Sequence, residues 1–224
     1  MRSLDSDRAA RPLHRSRARF PRMNRPSRRT QAERSGEMRA RLAEAAYGII
    51  AERGHSAFRM AAVAERAGVS TGAMLHHFRN KDEMTLAAIH HALAAAEATS
   101  RERAMRAGNT PGEVLQALAD DFLDFFHGDR FWVSLDITMD ASKNVEVAEA
   151  IGPIVAKDRR PVFKLWAERL TSLGWHAEHA EEAVRSIAAL ASGYAIRTLW
   201  TDDDAAARRT IDRWIRLLLD EAGK

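Results

Sequence analysis

Apolar residues recur along this chain at helical spacing. Leu42, Ala45, Ala46, Ile49 and Ile50 share one face of a segment that Gly54 closes, with Ser35 as the candidate cap at its start. Met60, Val63, Ala64 and Ala67 then fall at i, i+3, i+4 and i+7, and Gly68 follows where a chain leaving a helix needs positive φ. Ser70 offers a side-chain oxygen to cap a helix over residues 71–78, and Asn80 does the same for one that runs to about residue 106. Asp82 and Glu83 occupy the first turn of that longer helix, where the dipole favours negative charge. Met84, Ala87, Ala88, His91, Leu93 and Ala95 give it a loosely apolar side. Residues 107–112, AGNTPG, break the pattern. Val114, Leu115, Leu118, Phe122, Phe125 and Phe126 then form a stripe, followed by a short apolar helix over 131–141. A longer helix over 145–173 should be kinked or split at Gly152-Pro153 and Pro161. Segments 178–200 and 203–221 complete the chain, and nothing alternates convincingly like a strand. The prediction is an all-α protein of about nine helices.

Residues 60–81, MAAVAERAGVSTGAMLHHFRNK, have the layout of a helix-turn-helix. Val69 plugs the gap between two short helices, and the second has the size to lie in a DNA major groove. Thr71 can bond to a base edge or a phosphate, Gly72 lets the backbone approach closely, and Ala73 can meet a thymine methyl. His76 and His77 can bond to base or phosphate, the latter more strongly when protonated. Lys81, at the start of the next helix, is a candidate phosphate clamp aided by that helix's amides. Phe78 and Val69 are expected to pack rather than to read.

Gly54, Val63-Ala64, Ala67-Gly68-Val69-Ser70, Gly72, His76-His77-Phe78 and Lys81, in that order and spacing, resemble the DNA-binding domain of TetR-family transcriptional regulators. The segment from Leu42 to Gly54 is similar to that family's first helix, so the resemblance covers roughly residues 38–90, about a quarter of the chain. Two positions depart from it. Leu75 stands where the family usually has a tyrosine that commonly touches phosphate; leucine packs or meets a thymine methyl instead. Arg59 stands where a serine or threonine usually opens the second helix; it cannot cap, but it can reach a phosphate.

The resemblance implies an N-terminal three-helix reader, a C-terminal helical bundle with regulatory duty, and a repressor released from a palindromic operator by a small, apolar or aromatic effector. One reader covers few base pairs, so a twofold dimer is expected. Its surface is sought in the last two helices, where Ala188, Ala191, Gly193 and Ala195 are small and Trp214 and Leu218 supply apolar area. Residues 189–198 are similar to the dimerisation helix of many TetR relatives, although the same pair of helices can simply close a monomer core. Candidate effector contacts are Phe122, Phe126, Trp132, Leu135, Met139, Phe163, Trp166, Leu170 and Tyr194, with Asp136, Asp140 and Arg197 as polar anchors. Such residues at helical spacing also build ordinary cores.

Charge sharpens this picture. The net charge is +4, but residues 1–34 hold eleven arginines against three acids, a net of +8 that leaves the remainder at −4. With Pro12, Pro21 and Pro26 and no apolar period, this stretch reads as a disordered basic arm in which Met23 is a second candidate start. Arg25, Arg28, Arg29 and Arg34 can enter a minor groove or attract phosphates loosely. The expected organisation is an arm over 1–34, a reader over 35–85, and an effector-binding and dimerising domain over 86–224. An alternative is an architectural DNA binder driven by the arm, without an effector; another is a binding module whose reader has decayed. Absence of cysteine removes disulfides and thiolate metal sites and fits a reducing cytoplasm. No apolar run approaches the ~18 residues needed to span a bilayer. His176, His179 and Glu182 fall at i, i+3 and i+6 but lack a fourth ligand, so no metal or other cofactor is expected. No phosphate loop, nucleophile elbow or HExxH appears, so an enzyme is not expected.

Overall fold

The computed structural model describes residues 30–143, 145–201 and 204–222. Among these the chain is all-α: α1 (Gln31–Arg53), α2 (Met60–Arg66), α3 (Thr71–Leu75), α4 (Lys81–Arg106), α5 (Pro111–His127), α6 (Asp129–Ala141), α7 (Val145–Thr171), α8 (Ala177–Arg197) and α9 (Asp204–Ala222). The helical periods therefore translate into nine helices among the described residues.

Four details differ from expectation. The cap of α1 is Thr30, not Ser35: its hydroxyl accepts from the Glu33 amide at 3.2 Å while the Glu33 carboxylate accepts from the Thr30 amide at 2.7 Å. This reciprocal box satisfies two otherwise orphaned donors, which a mid-helix Ser35 cannot do. Residues 31–34 thus belong to a helix, whereas residues 1–29, with Arg25, Arg28 and Arg29, lie outside the described residues. The third helix ends at Leu75 rather than at 78. Finally, α7 is not split: it is one helix that contains Pro153 and Pro161. Gly54 ends α1 at φ 76° and ψ 160°, a region practically reserved for glycine.

Two buried clusters share α4. The first gathers Leu42, Ile49, Val63, Met74, Met84 and Ile89 from the first four helices and Phe58 and Phe78 from the turns between them, together with Val133 and Ile137 of α6. The second gathers Leu118, Phe122, Trp166, Leu170, Ile187 and Ile211 from α5 and α7–α9, with Ala104 from the far end of α4. Each large side chain so buried contributes about 1.5–3 kcal/mol. One continuous helix thus joins the two cores, and α6 reaches back into the first.

Candidate functional site: a helix-turn-helix surface, a junction and a cavity

The turn between α2 and α3 is closed by Gly68 at φ 65° and by the Val69 amide donating to the Ala64 carbonyl at 3.0 Å. Met74 and Phe78 are fully buried and anchor α3 from beneath. That register leaves Thr71, Gly72, Ala73, Leu75 and His76 exposed on the outer side, with His77 half-buried. Leu75 is 46% exposed, so it faces solvent and is not a packing residue. Ser70 is committed to its cap, accepting from the Ala73 amide at 3.1 Å.

Three basic residues have partners that sequence did not foretell. Arg59 makes no cap bond; its guanidinium donates to the Ser56 and Phe58 carbonyls at 2.8 and 2.9 Å and so braces the turn before α2. The Lys81 ammonium donates to the His55 carbonyl at 3.3 Å and lies 5.6 Å from the Phe58 ring centre. Arg39, absent from the sequence candidates, donates to the His77 carbonyl and lies 4.2 Å over the Phe78 ring, pinning the end of α3 to α1.

Lys81 leads to a dense junction. Buried His55 follows Gly54 in the α1–α2 turn, and its amide donates to Asp136 of α6 at 2.6 Å. Its Nδ1 is 2.7 Å from Asp140, and a carboxylate only accepts, so this nitrogen carries the proton. Nε2 is 3.1 Å from the buried Thr85 hydroxyl of α4. Lys143 and His55 together lower the Asp140 pKa below its ordinary value, Lys143 contributing most. Asp136 and Asp140, candidate polar anchors in the sequence, tie α6 to the reader through His55.

Between α4, α5 and α7 lies a narrow cavity of about 20 Å³, walled chiefly by Leu93, Ala96, Phe122, Phe125, Val162 and Phe163. Its polar groups are Ser100, Asp121 and Arg159. Asp121 accepts from Ser100 Oγ at 2.6 Å and from the Trp166 indole at 3.1 Å, yet burial still raises its pKa. Ala96, Ser100, Asp121 and Phe125 also wall an adjoining recess of about 290 Å³. Of the expected effector contacts, Phe122 and Phe163 line the narrow cavity. Phe126 touches it through Arg159, whose guanidinium lies 5.0 Å from that ring, and Trp166 does so through Asp121. Met139 is 61% exposed and does not line it. Leu170 is sealed in the second core. Tyr194 bonds Thr210 at 2.9 Å between α8 and α9, and Trp132 lines a separate recess beside Gly54. Sequence reasoning missed Arg159, although its i, i+4 spacing from Phe163 was a legible signal.

Of the expected dimer residues, Ala188, Ala191, Ala195 and Leu218 are buried in the chain's own second core, where they close α8 and α9 onto their neighbours. Trp214 is half-buried and donates to Ser186 at 2.8 Å. Gly193 is exposed, beside exposed Ala189 on the same face, and Leu199, Trp200 and Leu217 are exposed large apolar residues. Among the described residues no group of three potential metal ligands occurs, and no helix is long and apolar enough to cross a membrane.

Residues 42–88 match the family model described as "Bacterial regulatory proteins, tetR family". Over 200 residues the chain is 35% identical to the HTH-type transcriptional regulator CymR of Pseudomonas putida, spanning 89% of this chain and 98% of that protein. A TetR-family regulator structure from Mesorhizobium loti superposes with a TM-score of 0.69 at 15% identity, covering 84% of this chain and 97% of that one. A Saccharomonospora viridis regulator in complex with choline gives 0.61 at 18% identity, covering 81% and 96%. FadR of Bacillus subtilis in complex with stearoyl-CoA gives 0.55 at 14% identity, covering 80% and 96%. At these identities the structural likeness is one of fold.

Proposed function

Because the chain belongs to the TetR family of bacterial regulatory proteins and is a DNA-binding transcriptional regulator, we propose that it is a ligand-responsive repressor. It binds a palindromic operator as a homodimer in the cytoplasm and leaves it when a small molecule occupies the bundle. The observation that carries this reading is the position of two side chains. Leu93 belongs to the reader's core and also walls the cavity, while Phe125 walls the cavity and packs against both cores.

A cavity of about 20 Å³ holds little more than one water, so a ligand that enters it must part α4 from α5 or α7. Helix α4 is also the helix whose N-terminal turns hold the His55 junction, through Lys81 and Thr85. Its displacement moves the reader, and half-sites about 34 Å apart fall out of register with a shift of a few ångströms. The ligand must favour the non-operator state, since equal affinity for both states shifts nothing. Two neighbours of the same fold, bound to choline and to stearoyl-CoA, are consistent with a bundle that accommodates ligands. Exposed Ala189 and Gly193 of α8, with Leu199, Trp200 and Leu217, form the face on which the second copy packs.

The test is to select a bound duplex, weigh the complex by sedimentation, and titrate it with a broad set of metabolites and apolar compounds. Two chains per palindrome, and at least one compound weakening DNA binding about tenfold (~1.4 kcal/mol), are expected. Affinity that stays flat across the set contradicts the effector half of the proposal.

A further inference from the structure

Among the described residues, Arg159 is the polar group lining the cavity that has no hydrogen-bond or ionic partner from the chain. Its guanidinium carbon lies 5.0 Å from the ring centres of Phe125 and Phe126 and 5.7 Å from that of Phe163. Desolvation lowers its pKa, and among the described residues no carboxylate or other hydrogen-bond acceptor partners it. Arg103, Arg169 and Arg208, also half-buried, each have an acceptor in Asp124, the Gly108 carbonyl and Asp120 respectively, although Nη1 of Arg103 is left without a hydrogen bond. Three aromatic faces repay part of the cost of burying a cation, but a carboxylate would do so more fully.

The slot's own carboxylate does not supply that charge. Asp121 is held by Ser100, Trp166 and, at 3.7 Å, Arg103. The demand left over is for an anion, and the remaining walls, Ser100 apart, are apolar. Arg159 and Phe163 also line an open groove of about 1050 Å³ beside α7 and α8. There Lys164 pairs with Glu168 and Arg185 with Glu181, while Lys157 and Arg160 have no ionic partner among the described residues. A cationic mouth of this kind raises the local concentration of anions.

We infer that the slot between α4, α5 and α7 takes a small apolar carboxylate, with Arg159 gripping the carboxylate and the aromatic walls enclosing the body. This rests on the reading of the chain as effector-responsive. Guanidinium and carboxylate match as a bidentate pair, which a neutral isostere cannot reproduce. With the slot opened into the adjoining recess, a body of about six to twelve carbons fills the space.

The experiment uses full-length protein with octanoate, benzoate and 1-naphthoate, the primary amide of each, and octylamine. Calorimetry and tryptophan fluorescence report binding, and displacement from the selected duplex is followed in parallel. At least one acid should bind about tenfold or more tightly than its amide, as a charge-assisted bidentate contact requires. Arg159→Gln should abolish that preference and Arg159→Lys should retain part of it. Arg159→Gln should melt no lower than the parent, since an unpartnered charge has been removed; a marked fall would assign Arg159 to the fold and overturn the inference. Should Arg159→Gln fail to fold, Arg159→Lys decides: a preference as strong as the parent's overturns the guanidinium's role, and a weakened one supports it. Amides or octylamine binding as well as the acids overturns it, as does the absence of acid binding below about 1 mM, an affinity even such small ligands reach in a fitting site. If acids bind through Arg159 yet leave DNA affinity unchanged, the effector reading fails and the site stands. If amides release DNA as well as acids do, the effector reading stands and the anion assignment fails.

Discussion

Replacing His55 with alanine cuts the junction where the reader meets both α4 and α6. Two side-chain hydrogen bonds disappear, to Asp140 at 2.7 Å and Thr85 at 3.1 Å, and the ring no longer stacks on Phe58 at 6.1 Å. Thr85 is 2% exposed, so its hydroxyl is left without this partner and with almost no water. Two bonds at about 1 kcal/mol each, plus part of the cost of an unmet buried hydroxyl, give a loss of about 2–4 kcal/mol. The bond from the residue's amide to Asp136 survives the substitution, which is why the figure is not larger. Urea unfolding of His55→Ala, Asp140→Ala and the double variant measures the pair directly. Asp140 is partly exposed, so a coupling of about 1 kcal/mol is expected from the cycle. A loss below about 0.5 kcal/mol for His55→Ala, the range of ordinary surface changes, would refute the junction. So would strictly additive single variants.

Other outcomes follow from neighbouring features. Gly54→Ala forces a Cβ onto φ 76° and ψ 160°, and equilibrium unfolding should show a loss of about 1–3 kcal/mol. Asp121 has its pKa raised above the ordinary 3.8, so its contribution is full below that value and is lost as pH rises through the folded-state pKa. Asp121→Asn should therefore melt at the same temperature or higher at pH 7, with a flatter acid limb in a pH series; a clear fall at pH 7 would show that the charge itself is needed. Thr71→Ala with His76→Ala touches only exposed positions, so stability should move by less than about 0.5 kcal/mol while operator binding weakens by about 1–3 kcal/mol per lost base contact.

What the sequence reveals here is what is local. The apolar period placed α2, and Ser70 and Asn80 cap α3 and α4 through amides three residues on, a distance visible in the chain itself. The Thr30–Glu33 box was equally legible as T-x-x-E, yet the apolar run that guided the helix start begins later, at Leu42. Long-range pairing is where periodicity fails. Asp136 and Asp140 look like polar anchors on an apolar segment, and only the fold brings them to His55, more than eighty residues away. Ala188, Ala191 and Ala195 read as a close-approach stripe, and the approach is real, but to helices of the same chain. Arg159 sits among Lys157 and Arg160 and passes for a surface charge until Phe125 and Phe126 from α5 are folded over it.

The most direct measurement is selection of bound sequences from a random duplex library at near-physiological salt, with the full-length protein and with Thr71→Ala/His76→Ala. Enrichment of a palindrome by the parent, lost in the variant, is the result expected of a dimeric reader that uses the outer face of α3. Binding that is steeply salt-sensitive, enriches no motif and is indifferent to those two substitutions would contradict it, and would place the arginine-rich residues 1–34 at the centre of DNA binding instead.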